Sequence, residues 1–335
     1  MKLDNAANGG LLIVGSADVR RALTMLDCIE AVERAMRAVS RGDARVPLRT
    51  VMGVPGGQNL FAVMPGYVAD PRGLGAKILA LYPENPARGL SSHIGVVVLF
   101  DAETGLPAAV INAAEITAIR TAAASAVATR ALARADAREL AILGTGEQAV
   151  THLEALAHVR NLHAVRVWGR SPEKAHAFAQ AQGRKLSLPI RVANTAREAV
   201  DGADVVCTLT GAKEPILNGA WLSEGAHVNL VGASRIHARE ADDGVVTRSR
   251  FFVDLRESAR AEAGELRHAM DAGLVGESHL LGEIGDVLNG TVPGRISGQD
   301  ITVYKSVGIA AQDMAAAHVI YERAIREGIG TRVPF

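Results

Sequence analysis

The alternation of apolar and polar positions changes character partway along the chain. From Asp27 to Gly42 (DCIEAVERAMRAVSRG), Ile29, Val32, Met36 and Val39 fall on one helical face; Asp27 is placed to cap this helix and Gly42 to stop it. Segments 46–54, 59–64, 74–82, 93–101 and 106–112 read as strands separated by Pro, Gly, Asn and Asp turns, with DAETG (101–105) as a hairpin turn. This stretch predicts a β-rich, mostly antiparallel sheet. An Ala-rich helix follows over 113–133. Beyond it, short apolar runs at 139–143, 164–168, 189–192, 204–209, 227–231 and 251–254 are mostly separated by helical patterns. That alternation predicts a parallel sheet covered by helices. A last long helix is predicted over 306–327, returning to the first region.

A length of 335 residues suits two domains, and 48% hydrophobic residues supply a sizeable core. Aromatics are only 4%, so aliphatic side chains and Ala must do the packing. Lys+Arg and Asp+Glu both total 36, which leaves no basic surplus for a nucleic-acid partner. No apolar run approaches the ~20 residues of a membrane span. The N-terminus MKLDNAANGG has no secretory apolar core, so a soluble, cytoplasmic protein without a membrane partner is expected. Cys28 and Cys207 form no CxxC pair or zinc spacing and read as buried free thiols. The ten histidines contain no HxxxH or HExxH pair, so no metal is expected, and no nucleophile elbow is present.

The strongest local motif is ELAILGTGEQAVTHLEAL. A strand runs into Gly144-Thr145-Gly146-Glu147-Gln148-Ala149, a GxGxxA turn that opens a helix. The first Gly allows the tight turn, the second lets a pyrophosphate approach the backbone, and Ala keeps helix and strand close. The helix N-terminus offers free N–H groups to phosphate. The competing reading is a tight turn without a ligand. The next strand ends Trp168-Gly169-Arg170-Ser171-Pro172, with no carboxylate for a ribose 2′-hydroxyl. Arg170, Ser171 and nearby Lys174 instead suit a 2′-phosphate, favouring NADPH over NADH, unless Arg170 is simply a solvated side chain at a helix start. Thr208 and Thr210, and Val231, Gly232 and Ser234, follow two later strands, where ligands of open α/β sheets lie. Ordinary turn chemistry explains each of them equally well.

Arg49, Lys77 and Arg120 stand in apolar surroundings, where a charge is costly unless paired or facing a cavity. Singly, each reads as a member of an ion pair. Clustered next to a cofactor domain, they read as a carboxylate-binding pocket.

VMPGY (63–67), GAKILALYPEN (75–85), LFDAETGLPAAV (99–110), ITAIRTAAASAVA (116–128), ILGTGEQA (142–149), NLVGAS (229–234) and VYKSVGIAAQD (303–313) carry a resemblance over nearly the whole chain. The chain resembles the ornithine cyclodeaminase/mu-crystallin family. The resemblance implies an α/β fold: a Rossmann-type NAD(P)-binding domain at 126–305, and a β-rich α+β substrate and dimerisation domain built from 1–125 and 306–335. It implies homodimers, and it assigns substrate binding to Arg49, Lys77 and Met64. It sets Ser92 and Arg120 against the cofactor, and Ser306, Val307 and Gly308 beside the nicotinamide.

Cyclodeaminases of this family carry two carboxylates at positions where this chain has Ala62 and Ser234. Ser234, the Gly-Arg-Ser run and His93 resemble the mu-crystallin, ketimine reductase branch; for His93 a packed strand residue is the competing reading. The expected reaction is therefore NADPH-dependent reduction of a cyclic α-imino acid to L-proline or L-pipecolate. Arg49 and Lys77 would hold the carboxylate, and the imine proton would come from solvent, from Lys77 or through a water on Ser234. Ornithine cyclodeamination, alanine-dehydrogenase-like reductive amination and a cofactor-dependent binding protein of low turnover are the alternatives.

Overall fold

The computed structural model describes residues 10–335, apart from the Pro86 side chain. The chain opens with β1 (Leu11–Val14), α1 (Ser16–Ala22), α2 (Met25–Ser40), β2 (Ala44–Arg45), β3 (Thr50–Gly53), β4 (Leu60–Ala69), β5 (Arg72–Leu81), β6 (His93–Phe100), β7 (Pro107–Asn112) and α3 (Ala113–Leu132). Next come β8 (Glu139–Leu143), α4 (Glu147–Val159), β9 (Ala164–Trp168), α5 (Pro172–Leu186), β10 (Ile190–Val192), α6 (Ala196–Val200), β11 (Val205–Thr208) and β12 (His227–Leu230). Then follow α7 (Asp243–Thr247), β13 (Ser249–Val253), α8 (Arg256–Glu262), α9 (Gly264–Asp271), β14 (Leu280–Glu283), α10 (Ile284–Asn289) and β15 (Ile301–Lys305). The chain ends with α11 (Ala310–Glu327) and β16 (Thr331–Val333). One compact unit comprises the residues up to Arg120 together with Ile309–Phe335; the other is Thr121–Gly308.

In the first unit the sheet runs β16-β1-β7-β6-β5-β4-β2, with β3 on β4. It is antiparallel except where β1 meets β7. The expected strand 46–54 is interrupted, because Pro47 has no N–H for a ladder, and Arg49 is left in coil between β2 and β3. Helix α2 starts earlier than expected: Thr24, not Asp27, is its cap, accepting from the Asp27 N–H at 3.2 Å and donating to the Asp27 carboxylate at 2.6 Å. Asp27 is then free to pair with Arg323 of α11 at 2.8 Å.

Register fixes which side chains share a face. Met64, Lys77, Val97 and Ile111 form one cross-strand row on the face that α11 covers. A Cβ at Gly66 would lie 2.8 Å from the Ala310 Cβ, so the bare strand is what lets the start of α11 settle onto the sheet. On the opposite face the row Met52, Phe61, Ala80, Ile94 is wholly apolar.

The second unit is a Rossmann-type parallel sheet in the order β10-β9-β8-β11-β12-β15-β13-β14. Leu140 and Ile142 of β8 enter one core, Ala141 and Leu143 the other, so both faces are covered and the strand reads as an unbroken apolar run. The fold class is α/β, as the alternation predicts. The last helix begins at Ala310 rather than 306, because Gly308 takes φ +77° and Ile309 is extended; 301–305 is the interior strand β15. No helix among the described residues is long and apolar enough to cross a membrane.

Gly66→Ala should destabilise the protein by about 1–3 kcal/mol, since Ala310 has no flexible end to move aside. Urea unfolding checks this; an unchanged midpoint would mean that α11 is not held by that contact.

Candidate active site

Lys77 points from β5 into the face covered by α11, with 2% of its surface exposed. Its Nζ lies 2.9 and 3.0 Å from the two carboxylate oxygens of Asp313. Arg120, at the end of the α3 segment in the same unit, donates from Nε to Asp313 at 2.9 Å and from Nη1 to Gln312 Oε1 at 2.8 Å. Two buried cations thus share one carboxylate. Burial and the two cations oppose each other at Asp313, and Arg120 with Lys77 prevails, holding the carboxyl below its usual range. Lys77 yields instead: burial first, then the Arg120 charge, bring its ammonium down to about 7 despite Asp313. The half-buried Arg49 adds to that repulsion, which places its charge near Lys77. Met64 is the direct cross-strand neighbour of Lys77 and is itself buried. The first unit therefore brings together Arg49, Met64, Lys77 and Arg120. Sequence reasoning missed Asp313 and Gln312 as their partners, although both lie in the VYKSVGIAAQD ending. The resemblance set Arg120 against a cofactor; here its Nε and Nη1 are committed to α11, and only Nη2 remains.

Ser92 and His93 lie at the start of β6, with Ser92 Oγ 3.0 Å from His93 Nδ1. His93 is exposed, which corrects the reading of it as a packed strand residue.

In the second unit the turn after β8 has the shape a pyrophosphate needs. Gly144 has φ +130°, and a Cβ there would lie 2.6 Å from the Leu209 carbonyl oxygen. Gly146 is the N-cap of α4 without a side-chain cap, and a Cβ on it would meet nothing within 4 Å. The half-buried Thr145 packs its methyl toward Gly169 at the end of β9. Glu147 and Gln148 form the first turn of α4. Arg170 is exposed after β9 and has no partner among the described residues; the Lys174 side chain is likewise exposed and unpaired. Ser171 does not match its expectation as a phosphate donor. Its hydroxyl caps α5, accepting from the Lys174 N–H at 3.2 Å and donating to Glu173 at 2.7 Å.

The turns after β11, β12 and β15 are braced from within. Thr208 and Thr210 both donate their hydroxyls to Glu240 at 2.7 Å, and the Gly232 N–H donates there too, at 2.7 Å. These three donors are committed to one buried carboxylate. Burial pushes the Glu240 carboxyl up against the pull of Lys305 and these donors. Val231 is buried, whereas the half-buried Ser234 hydroxyl has no protein partner among the described residues. Ser306 is buried, and the Val307 and Gly308 amides donate to Asp254 at 3.1 and 2.7 Å. Glu240 and Asp254 fall in no recognisable motif, and nothing in the sequence pointed to them. Cys28 and Cys207 are buried free thiols, and burial pushes both up. Among the described residues no cluster of His, Cys, Asp or Glu could hold a metal ion.

The family model described as ornithine cyclodeaminase/mu-crystallin matches residues 12–328. A Δ1-pyrroline-2-carboxylate reductase of Bacillus cereus is 35% identical over 326 residues, covering 97% of this chain and 100% of that protein. The structure of the Thermococcus litoralis Δ1-pyrroline-2-carboxylate reductase, in complex with NADH and L-proline, superposes with a TM-score of 0.94 at 38% identity. It covers 96% of this chain and 100% of its own. An archaeal alanine dehydrogenase dimer with bound NAD superposes with a TM-score of 0.92 at 30% identity, covering 97% and 99%. This chain is a member of the ornithine cyclodeaminase/mu-crystallin family.

Proposed function

We propose that the protein is an NADPH-dependent reductase of cyclic α-imino acids, converting Δ1-pyrroline-2-carboxylate or Δ1-piperideine-2-carboxylate to L-proline or L-pipecolate. The observation that carries this reading is the pair of buried cations, Lys77 and Arg120, on the single carboxylate of Asp313, with the Arg49 charge close by. Lys77 and Arg120 share one carboxylate, and the carboxylate of an imino acid supplies a second. The full-length likeness to Δ1-pyrroline-2-carboxylate reductases supports the same substrate class.

Arg49 and Lys77 hold the substrate carboxylate and so orient the imine carbon, replacing a chance encounter with a fixed geometry. When bound, the reduced nicotinamide supplies the hydride that forms the new C–H bond. The imine nitrogen gains one proton, and the Lys77 ammonium, at about 7, is poised to donate it near neutrality. Ser234, with its uncommitted hydroxyl, is the second candidate on the proton path. The residues fit the dinucleotide: the tight turn at Gly144 and Thr145, the open backbone at Gly146 and the uncapped start of α4 would hold the diphosphate. Arg170 and Lys174 would hold a 2′-phosphate.

The deciding assay is NADPH oxidation by the purified protein with both cyclic imines, beside L-ornithine alone and pyruvate with ammonia or methylamine. Ammonia and proline formed from ornithine faster than either imine is reduced would overturn the reading.

Lys77→Met should lower kcat/KM by about 100-fold or more, the scale of a lost general acid. In the wild type the form that clamps and donates is the ammonium, so kcat/KM should fall as pH rises through about 7. The fall should be absent in Lys77→Met, and a profile that persists there would assign it to the substrate. Arg170→Ala should reduce the preference for NADPH over NADH by about tenfold, through loss of a charge-assisted contact to phosphate. Equal KM values for the two cofactors in the wild type would refute the NADPH preference.

A homodimer is part of the proposal. Met52, Phe61 and Ile94 lie on the sheet face opposite α11 and are 59%, 38% and 45% exposed, with no charge in their row. An apolar patch of this kind on a sheet marks an interface, and the alanine dehydrogenase structure is a dimer. Phe61→Asp combined with Ile94→Glu should yield a monomer by light scattering; an unaltered mass would place the interface elsewhere.

A further inference from the structure

The buried carboxylate of Glu240 gathers donors from two separate turns. Its Oε1 accepts the Thr210 N–H and hydroxyl, both at 2.7 Å. Its Oε2 accepts the Thr208 hydroxyl and the Gly232 N–H at 2.7 Å, and the Ala233 N–H at 3.2 Å. The two turns touch at this point, since a Cβ on Gly232 would lie 2.2 Å from the Thr210 carbonyl oxygen and 2.6 Å from Glu240 itself. Behind the carboxylate, the Glu240 N–H donates to Glu265 at 3.0 Å. Lys305 pairs with Glu265 at 2.9 Å and donates to the Ala233 carbonyl. Both side chains of that pair are fully buried.

Strand order gives this brace a place on the dinucleotide. β9 and β8, which carry Arg170 and the glycine turn, are followed by β11 and then β12. A dinucleotide with its 2′-phosphate after β9 and its diphosphate after β8 extends its other half over the ends of β11 and β12. We propose that Glu240 is a positioning residue for the nicotinamide-bearing half of the dinucleotide, tying the turns after β11 and β12 into the one surface on which that half rests. The proposal builds on the dinucleotide site of the reading above.

The chemistry makes the residue hard to replace. Each carboxylate oxygen accepts at least one backbone N–H, and a backbone N–H cannot reverse its role. A glutamine would present its NH₂ to one of those amides, donor against donor, and release one turn whichever way it flips. The two threonine hydroxyls, by contrast, can rotate.

Binding of NADP+ and of adenosine 2′,5′-bisphosphate, the adenine-side fragment, is measured by calorimetry on the wild type, Glu240→Gln and Thr208→Val. Glu240→Gln should weaken NADP+ by about tenfold, the scale of one lost charge-assisted hydrogen bond, and leave the fragment unchanged. Thr208→Val removes one hydroxyl and neither amide. It should show a smaller loss confined to NADP+, and it carries the test alone if Glu240→Gln does not fold. Parallel weakening of both ligands would make the brace a general structural element, and unaltered NADP+ affinity in the variants would remove its role; either result overturns the proposal. A wild type that binds neither ligand would instead overturn the dinucleotide site on which it rests.

Discussion

The structure of the first unit turns on one carboxylate. Asp313 is fully buried, and it is tolerable there only because Lys77 and Arg120 both reach it. Removing one partner of such a group generally costs about 3–5 kcal/mol, because the charge left behind has no solvent. The three residues come from β5, α3 and α11, and Lys77 and Asp313 are 236 positions apart in the chain. Arg120 is the last residue before the chain leaves for the second unit, and Ile309 is the first after it returns. The ion cluster therefore fastens the point of departure to the point of return. It is a structural clamp in which two cations share one carboxylate.

The second unit uses carboxylates differently. Glu240 and Asp254 face mainly backbone amides and hydroxyls at the ends of β11, β12 and β15, and so define turn shape. An amide held this way cannot also bind a phosphate. The turn after β8, where Gly146 caps α4 with backbone alone, and Arg170 after β9 are left open to an anion. Braced turns and open turns are thus divided along the sheet.

Much of this was legible in the sequence. The glycine turn, the alternating strands of the second unit and the three cations in apolar settings all carry local patterns, and the structure groups Arg49, Lys77 and Arg120 together in one unit. What escaped had no local pattern. β1 and β16, four and three residues long, are too short to show alternation. β15 carries no predicted strand, and the helix expected directly after it, from 306, starts only at Ala310 because Gly308 with φ +77° interrupts it. Thr208, Thr210 and Ser171 were read as ligand donors because hydroxyls at strand ends and helix starts suit both roles. Which role each takes depends on a carboxylate that is 2 residues away for Ser171 and 32 or 30 away for Thr208 and Thr210, and only Glu173 was close enough to be weighed from sequence.

The charge balance also bears on which member of the family this chain is like in its chemistry. Ornithine brings a second ammonium group that must be accommodated and deprotonated. Lys77 is already driven down to about 7 by burial and by its cationic neighbours, so a further cation beside it would be repelled unless a carboxylate answered it. In the same face of the sheet, Ala62, packed at 2% exposure, supplies none. A cyclic imino acid makes the opposite demand. It brings one carboxylate to a cluster in which two cations share one, and its nitrogen needs a proton delivered rather than removed. On the proposed reading, a lysine whose proton is loosely held serves that reaction and hinders the other.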